Sequence, residues 1–165
     1  MPTVYVSIGS NVDRERNIRS SVKALKEYFP HLQISSVYET EAQGFDGDPF
    51  YNLVVGFDTD RSADEVIDLL RSIEHQHGRV RGQEKFSPRT LDLDLLLYGQ
   101  QIFTDKDIPR AEITRYAFVL LPLVEIASEF IHPILNKPLR TVLVDFERDH
   151  KLTSAAIHAV EFAWD

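Results

Sequence analysis

The sequence predicts an α+β sandwich, a mainly antiparallel sheet with helices on its faces, and three observations carry that reading. Strand-like and helix-like segments interleave in the order β-α-β-β-α-β, a ferredoxin-like plan. Two of the helical segments repeat their apolar residues at helical spacing, so each has one face to bury against the sheet. At 165 residues, 43% hydrophobic and 27% charged, the chain can close a substantial core and has an ordinary globular composition. No repeat, low-complexity run or Pro/Gly/Ser-rich linker divides it. One domain over residues 1–165 is expected, with 145–165 a C-terminal extension that carries no readable motif.

The elements follow in order. Residues 3–8, Thr-Val-Tyr-Val-Ser-Ile, read as a first strand, and Gly9-Ser10-Asn11 as a turn. Asp13 is placed to cap a helix running to about residue 29, with Ile18, Val22, Leu25 and Phe29 inward. A strand near 32–38 precedes a loop over 40–49 that holds Gly44 and Gly47, and 50–58 reads as another strand. Ser62 with Glu65 is a capping-box pattern for a second helix, with Val66, Leu69, Leu70 and Ile73 inward and an end near Gly78. Residues 78–90 form a basic loop, 91–98 a strand, Gly99-Gln100 a turn and 101–103 a short return strand. The stretch 113–127 reads as mostly helical, with Pro122 at a start or kink. A docked helix around 154–162 is the expectation for the C-terminal part.

Composition excludes several function classes. The absence of cysteine removes disulfides, zinc–thiolate sites and thiol nucleophiles. A net charge of −8 argues against a nonspecific nucleic-acid binder. No segment is long and apolar enough to span a bilayer or act as a signal peptide, so a cytoplasmic protein without membrane partners is expected. Within this acidic chain, residues 75–89 set Arg79, Arg81, Lys85 and Arg89 against the lone acid Glu84. A basic segment of that kind fits a local anionic ligand.

The segment Leu91-Asp-Leu-Asp-Leu-Leu-Leu-Tyr98 alternates at its start. In a strand, Leu91, Leu93 and Leu95 point one way and Asp92 and Asp94 the other. Two carboxylates so close repel, and aspartate is a poor mid-strand residue. A divalent cation offsets both costs; magnesium favours one or two carboxylates together with substrate phosphates. The arginines just upstream supply groups that bind phosphate oxygens, which makes a phosphoryl-transfer constellation. Neither a Walker motif nor a Gly-x-Gly-x-x-Gly loop is present. A nucleotide would therefore be held by metal and side chains.

The run Ser87-Pro-Arg-Thr-Leu-Asp-Leu-Asp-Leu-Leu-Leu-Tyr-Gly99 resembles the signature of the 6-hydroxymethyl-7,8-dihydropterin pyrophosphokinase family of folate biosynthesis. Val6-Ser-Ile-Gly-Ser-Asn11, Ser36-Val-Tyr-Glu-Thr40, Phe50-Tyr-Asn52, Ile73-Glu74, Gly78-Arg-Val-Arg81 and Phe118-Val-Leu-Leu-Pro-Leu123 resemble it in the same order. The resemblance implies transfer of pyrophosphate from MgATP to the dihydropterin hydroxymethyl group, with release of AMP. It assigns Asp92 and Asp94 to two Mg²⁺ ions and Arg79 and Arg89 to the transferring group. Arg81, Lys85 and Phe86 fall in the loop that closes over ATP, and Glu74 and Leu95 among the nucleotide-side positions. For the pterin it assigns Phe50 and Phe118 as stacking walls, Asn52 as the ring-edge partner, and Thr40 and Gly44 to the loop that reads the polar edge. The expected partners are these small molecules, bound by a monomer. Two positions depart from the pattern: Arg110 stands where the family commonly has histidine, and Tyr116 where it has arginine, with Arg115 one step earlier.

Two other readings stay open on the residues alone. A two-metal nucleotidyltransferase or cyclase also presents paired aspartates, but releases pyrophosphate in place of AMP. A diverged non-catalytic paralogue that binds pterin or nucleotide is the other, and the altered Arg110 and Tyr116 positions motivate it. The complete set Arg79, Arg89, Asp92 and Asp94 argues against it.

Overall fold

A computed structural model describes residues 1–40, 49–78, 91–150 and 157–165. In chain order its elements are β1 (Thr3–Ser10), α1 (Arg14–Tyr28), β2 (Gln33–Ile34), β3 (Val37–Thr40), β4 (Phe50–Asp58), α2 (Ala63–Gln76), β5 (Asp92–Tyr98), α3 (Ala117–Ala127), α4 (Leu139–Asp149) and β6 (Ile157–Val160). Short 3₁₀ turns occupy Thr104–Lys106 and Ala111–Thr114. The sheet runs β5-β1-β4-β3-β6 with β2 also on β4, and all these pairings are antiparallel. Without β6 this is the ferredoxin-like arrangement expected from the element order.

Alternation along the strands divides the core into two layers. Val4, Val6 and Ile8 of β1, with Leu53, Val55 and Phe57 of β4, pack against Ile18, Val22 and Leu25 of α1 and Val66, Leu70 and Ile73 of α2. The opposite face carries Tyr5, Val54 and Leu97, covered by Val119, Leu120 and Leu123 of α3 and Val142 and Phe146 of α4. Each fully buried leucine- or isoleucine-sized side chain contributes about 2 kcal/mol of hydrophobic stabilisation. The run Leu95-Leu96-Leu97 does not alternate, and the ladder accommodates it with a register shift. Val6 faces Leu95 and Tyr5 faces Leu97, which leaves Leu96 as the extra residue of a bulge. Leu96 and Leu97 consequently both join the α3–α4 layer.

The second helix starts as its sequence demands. Ser62 Oγ accepts from the Glu65 amide at 3.1 Å, and Glu65 Oε1 accepts from the Ser62 amide at 2.9 Å. Gly78, at φ 81°, takes the left-handed conformation just beyond its end.

Four local expectations are corrected, the first being the turn at Gly9-Ser10-Asn11, since Gly9 and Ser10 lie within β1. Asp13 precedes α1, but in a left-handed conformation (φ 42°, ψ 46°) that makes no side-chain cap. The return strand expected at 101–103 is a single bridge between Phe103 and Ile108. Pro122, expected at a start or kink, lies inside α3, where its missing N–H leaves the Phe118 carbonyl without its helical donor. Of the helix expected around 154–162, residues 154–156 lie outside the described residues, and Ile157–Val160 instead forms β6 on the edge of β3, where backbone hydrogen bonding outweighs weak helical patterning. No helix among the described residues is long and apolar enough to cross a membrane.

Candidate active site

Register across the sheet draws residues distant in sequence into rows. Asp92 on β5, Gly9 on β1, Asn52 on β4 and Tyr38 on β3 stand opposite one another, and Asp94, Ser7 and Val54 form the next row. Side chains two apart share a face, so Phe50, Asn52 and Val54 project to the same side as Asp92 and Asp94. Val54 packs under α3, which identifies that side as the α3–α4 layer. Two interstrand steps, about 10 Å, separate Asn52 from Asp92. Between them lies Gly9, where a Cβ would stand 2.9 Å from Asn52 Oδ1. Any larger residue there would displace the asparagine.

At the Asn52 end the described groups are an amide, a hydroxyl and aromatic rings. Asn52 is buried, and its Nδ2 donates to Thr40 Oγ1 at 3.0 Å, which joins the last residue of β3 to β4. Phe50 pairs with Thr40 in register and is half-buried. Phe118, in the first turn of α3, stacks on Tyr116 with ring centroids 4.9 Å apart and planes 15° from parallel. A flat aromatic surface beside a hydrogen-bonding amide suits a planar heterocycle with a polar edge.

The β5 end is highly charged, and its backbone is held from α2. Among the described residues β5 ends the sheet, and the Leu93 N–H and C=O turn toward α2. Glu74 Oε2 accepts from the Leu93 N–H at 2.7 Å and Arg71 Nη1 donates to the Leu93 carbonyl at 2.7 Å. Arg71 Nη1 also donates to Glu74 Oε1 at 2.8 Å. The residue between the two aspartates is thus clamped on both of its backbone groups. Asp94 is 4% exposed, with Arg71 Nη2 at 3.5 Å and Arg110 Nη2 at 3.6 Å from its Oδ1. Arg110 is anchored by its amide on the Leu96 carbonyl and by a 2.9 Å bond to Glu112. Burial works against its charge, but Asp94, Glu112 and Asp107 outweigh that and raise its pKa.

Two carboxylates on one strand face are hard oxygen donors suited to Mg²⁺, which completes its coordination with water and phosphate. Among the described residues no group of three or more His, Cys, Asp or Glu could enclose a metal.

A family model for 7,8-dihydro-6-hydroxymethylpterin-pyrophosphokinase matches residues 5–128. The chain belongs to this family. A 2-amino-4-hydroxy-6-hydroxymethyldihydropteridine pyrophosphokinase of Aquifex aeolicus is 35% identical over 144 residues, covering 85% of this chain and 89% of that protein. The corresponding Haemophilus influenzae protein is 36% identical over 158 residues, covering 92% and 97%. Among solved structures, Plasmodium falciparum HPPK-DHPS with pterin and p-hydroxybenzoate has the same fold, with a TM-score of 0.71 at 13% identity. That likeness covers 96% of this chain and 46% of the other, so the chain spans about half of the length of that structure.

The pyrophosphokinase family match contains Asp92, Asp94, Phe50, Asn52, Thr40 and Phe118, which the fold gathers on one sheet face. Of the expected nucleotide positions, Glu74 lies behind β5, and Arg110 reaches Asp94. Tyr116 backs Phe118, and Arg115 is exposed beside the 3₁₀ turn. The Leu95 side chain is buried on the α1–α2 side, away from the aspartates. Arg79, Arg81, Lys85, Phe86, Arg89 and Gly44 lie outside the described residues. Sequence reasoning missed Arg71, because it connected the aspartates to the arginines nearest in sequence. The available signal was Arg71 three residues before Glu74, a pairing distance on a helix, with Glu74 among the apolar inward positions.

Proposed function

We propose that this chain transfers the β,γ-pyrophosphoryl group of MgATP to the hydroxymethyl oxygen of 6-hydroxymethyl-7,8-dihydropterin, releasing AMP. The observation that carries this reading is the shared row, in which an amide suited to a pterin and a carboxylate suited to phosphate-bound magnesium stand on one sheet face with only Gly9 between them. In the proposed reaction the acceptor oxygen attacks the β-phosphorus, its proton leaves, and the bond from that phosphorus to the α,β-bridging oxygen breaks. Phe50 and Phe118 stack the ring, while Asn52, Thr40 and Gly44 hold its polar edge. Asp92 and Asp94 would hold two Mg²⁺ ions, whose chemistry is neutralisation of phosphate charge. Arg79 and Arg89 stabilise charge on the transferring group, and Arg81, Lys85 and Phe86 cover the nucleotide. Arg110 brings a cation to within 3.6 Å of the Asp94 carboxylate. Catalysis on this reading comes from positioning and electrostatics, and a monomer suffices for it.

The deciding measurement is incubation of the protein with MgATP and the dihydropterin, followed by nucleotide analysis. AMP and a pterin diphosphate in equal amounts are expected. Release of pyrophosphate would point to a nucleotidyltransferase, and binding without turnover to a non-catalytic relative.

A further inference from the structure

Arg14, the first residue of α1, lies on the sheet face opposite the site yet touches a chain neighbour of three pterin-side residues. Its Nη1 donates to the Pro49 carbonyl at 2.8 Å. Its Nη2 pairs with Glu39 Oε2 at 2.9 Å, and its guanidinium carbon stands 3.7 Å from the centroid of the Tyr51 ring. Glu39 precedes Thr40, Pro49 precedes Phe50, and Tyr51 precedes Asn52. Glu39 and Tyr51 are a cross-strand pair, so alternation turns both away from the site while their neighbours turn toward it.

The guanidinium is well placed to act as a brace. Its side chain is 26% exposed and that of Glu39 27%. A planar fork with several donors can bond a carbonyl, pair with a carboxylate and stack on a ring at once, which an ammonium cannot. The turn that delivers Arg14 is itself fixed. Asn17 Nδ2 and Ser10 Oγ both donate to the Val12 carbonyl, at 2.6 and 3.1 Å, and Asp13 takes the left-handed conformation. On the other side of Glu39, His158 of β6 comes within 3.8 Å of Oε1.

We propose that Arg14 is a positioning residue for the acceptor pocket: it ties the end of β3 to the start of β4 and so sets the separation of Thr40, Phe50 and Asn52. The inference rests on the acceptor reading of that pocket. Losing the brace leaves the carboxylate pair on β5 untouched, so the effect falls on one substrate.

The test compares Arg14→Gln and Arg14→Lys with the unaltered protein, measuring KM for each substrate, kcat, and dihydropterin Kd by fluorescence. Both variants should raise the KM and Kd of the dihydropterin about tenfold, as displaced binding groups do. The KM for ATP, kcat and Tm should stay close to those of the unaltered protein. Glu39→Gln should give part of the same effect, and adding it to Arg14→Gln should give less than the sum. An unchanged dihydropterin KM and Kd, or a parallel loss in every parameter, overturns the proposal. If the unaltered protein forms no AMP, the reaction assignment fails instead. The Kd comparison then still judges Arg14, with tenfold weaker binding supporting it and equal binding overturning it.

Discussion

The β5 end and the Asn52 end share one face of one sheet, yet they are assembled by different means. At the β5 end, charges converge from separate elements: Asp94 from the edge strand, Arg71 from α2 and Arg110 from the loop before α3. At the Asn52 end, neutral groups come from adjacent strands and the start of α3, and a single amide–hydroxyl bond joins Asn52 to Thr40. Buried charges need several partners to offset lost hydration, whereas a neutral amide needs only one or two. The charged end is therefore the more sensitive to any single loss, and the neutral end the more sensitive to shape.

The largest expected effect follows from the charged end. Asp94→Ala should lower the rate of AMP formation by about three powers of ten or more, the scale of losing a preorganised electrostatic group. Because two guanidinium groups then face each other, Asp94→Asn is the companion variant, with circular dichroism to confirm folding. Near-normal turnover in both would remove the metal assignment.

Arg71→Ala comes next. It removes one donor from the Leu93 carbonyl and one cation from Glu74, which is 2% exposed. A loss of about 1–3 kcal/mol in unfolding free energy is expected, with kcat/KM for ATP down about ten- to a hundredfold. The dihydropterin KM should hardly change. An equal rise there would mean that the two ends do not act separately.

Gly9→Ala probes the boundary between them by shape. A methyl group 2.9 Å from Asn52 Oδ1 must push the amide aside. The dihydropterin KM should rise about tenfold, comparable to the loss of one hydrogen bond in Asn52→Ala. Steady-state kinetics with each substrate varied separately would show whether ATP binding is spared.

The smallest effect lies at the margin of the neutral end. Tyr38 donates to Glu125 Oε1 at 2.9 Å, and burial followed by that bond pushes its pKa up to about 12. The phenol ionises near 10 in the unfolded chain, so the unfolded state loses its proton first as pH rises. Stability from Tyr38 is present below pH 10 and disappears as pH climbs through about 12. Tyr38→Phe should flatten that part of a urea-denaturation pH profile and leave catalysis near neutral pH unchanged.

Strand period and the capping box of α2 are local, and both were legible in the chain itself. The alternation of Leu91, Asp92, Leu93 and Asp94 separated acids from core before any fold was known, and the structure keeps that separation. Ser62 and Glu65 marked the start of α2, and the order of elements indicated the sheet type. The resemblance of Phe50, Asn52 and Phe118 to a pterin site was readable as motif, without showing that they share a face with the aspartates.

Tertiary structure alone decided what stands across from what. A helical pattern shows which face of α2 is buried, but not that Arg71 and Glu74 meet the Leu93 backbone of β5. Gly9 looked like a turn residue, and only pairing on both sides made it the gap between Asn52 and Asp92. Ile157–Val160 has no strong period of its own; its strand form depends on the open edge of β3. The physical reason is common to all three. Local sequence sets backbone preference and the direction of a side chain, while contacts between distant segments depend on sheet order and register, which form only when the whole core closes.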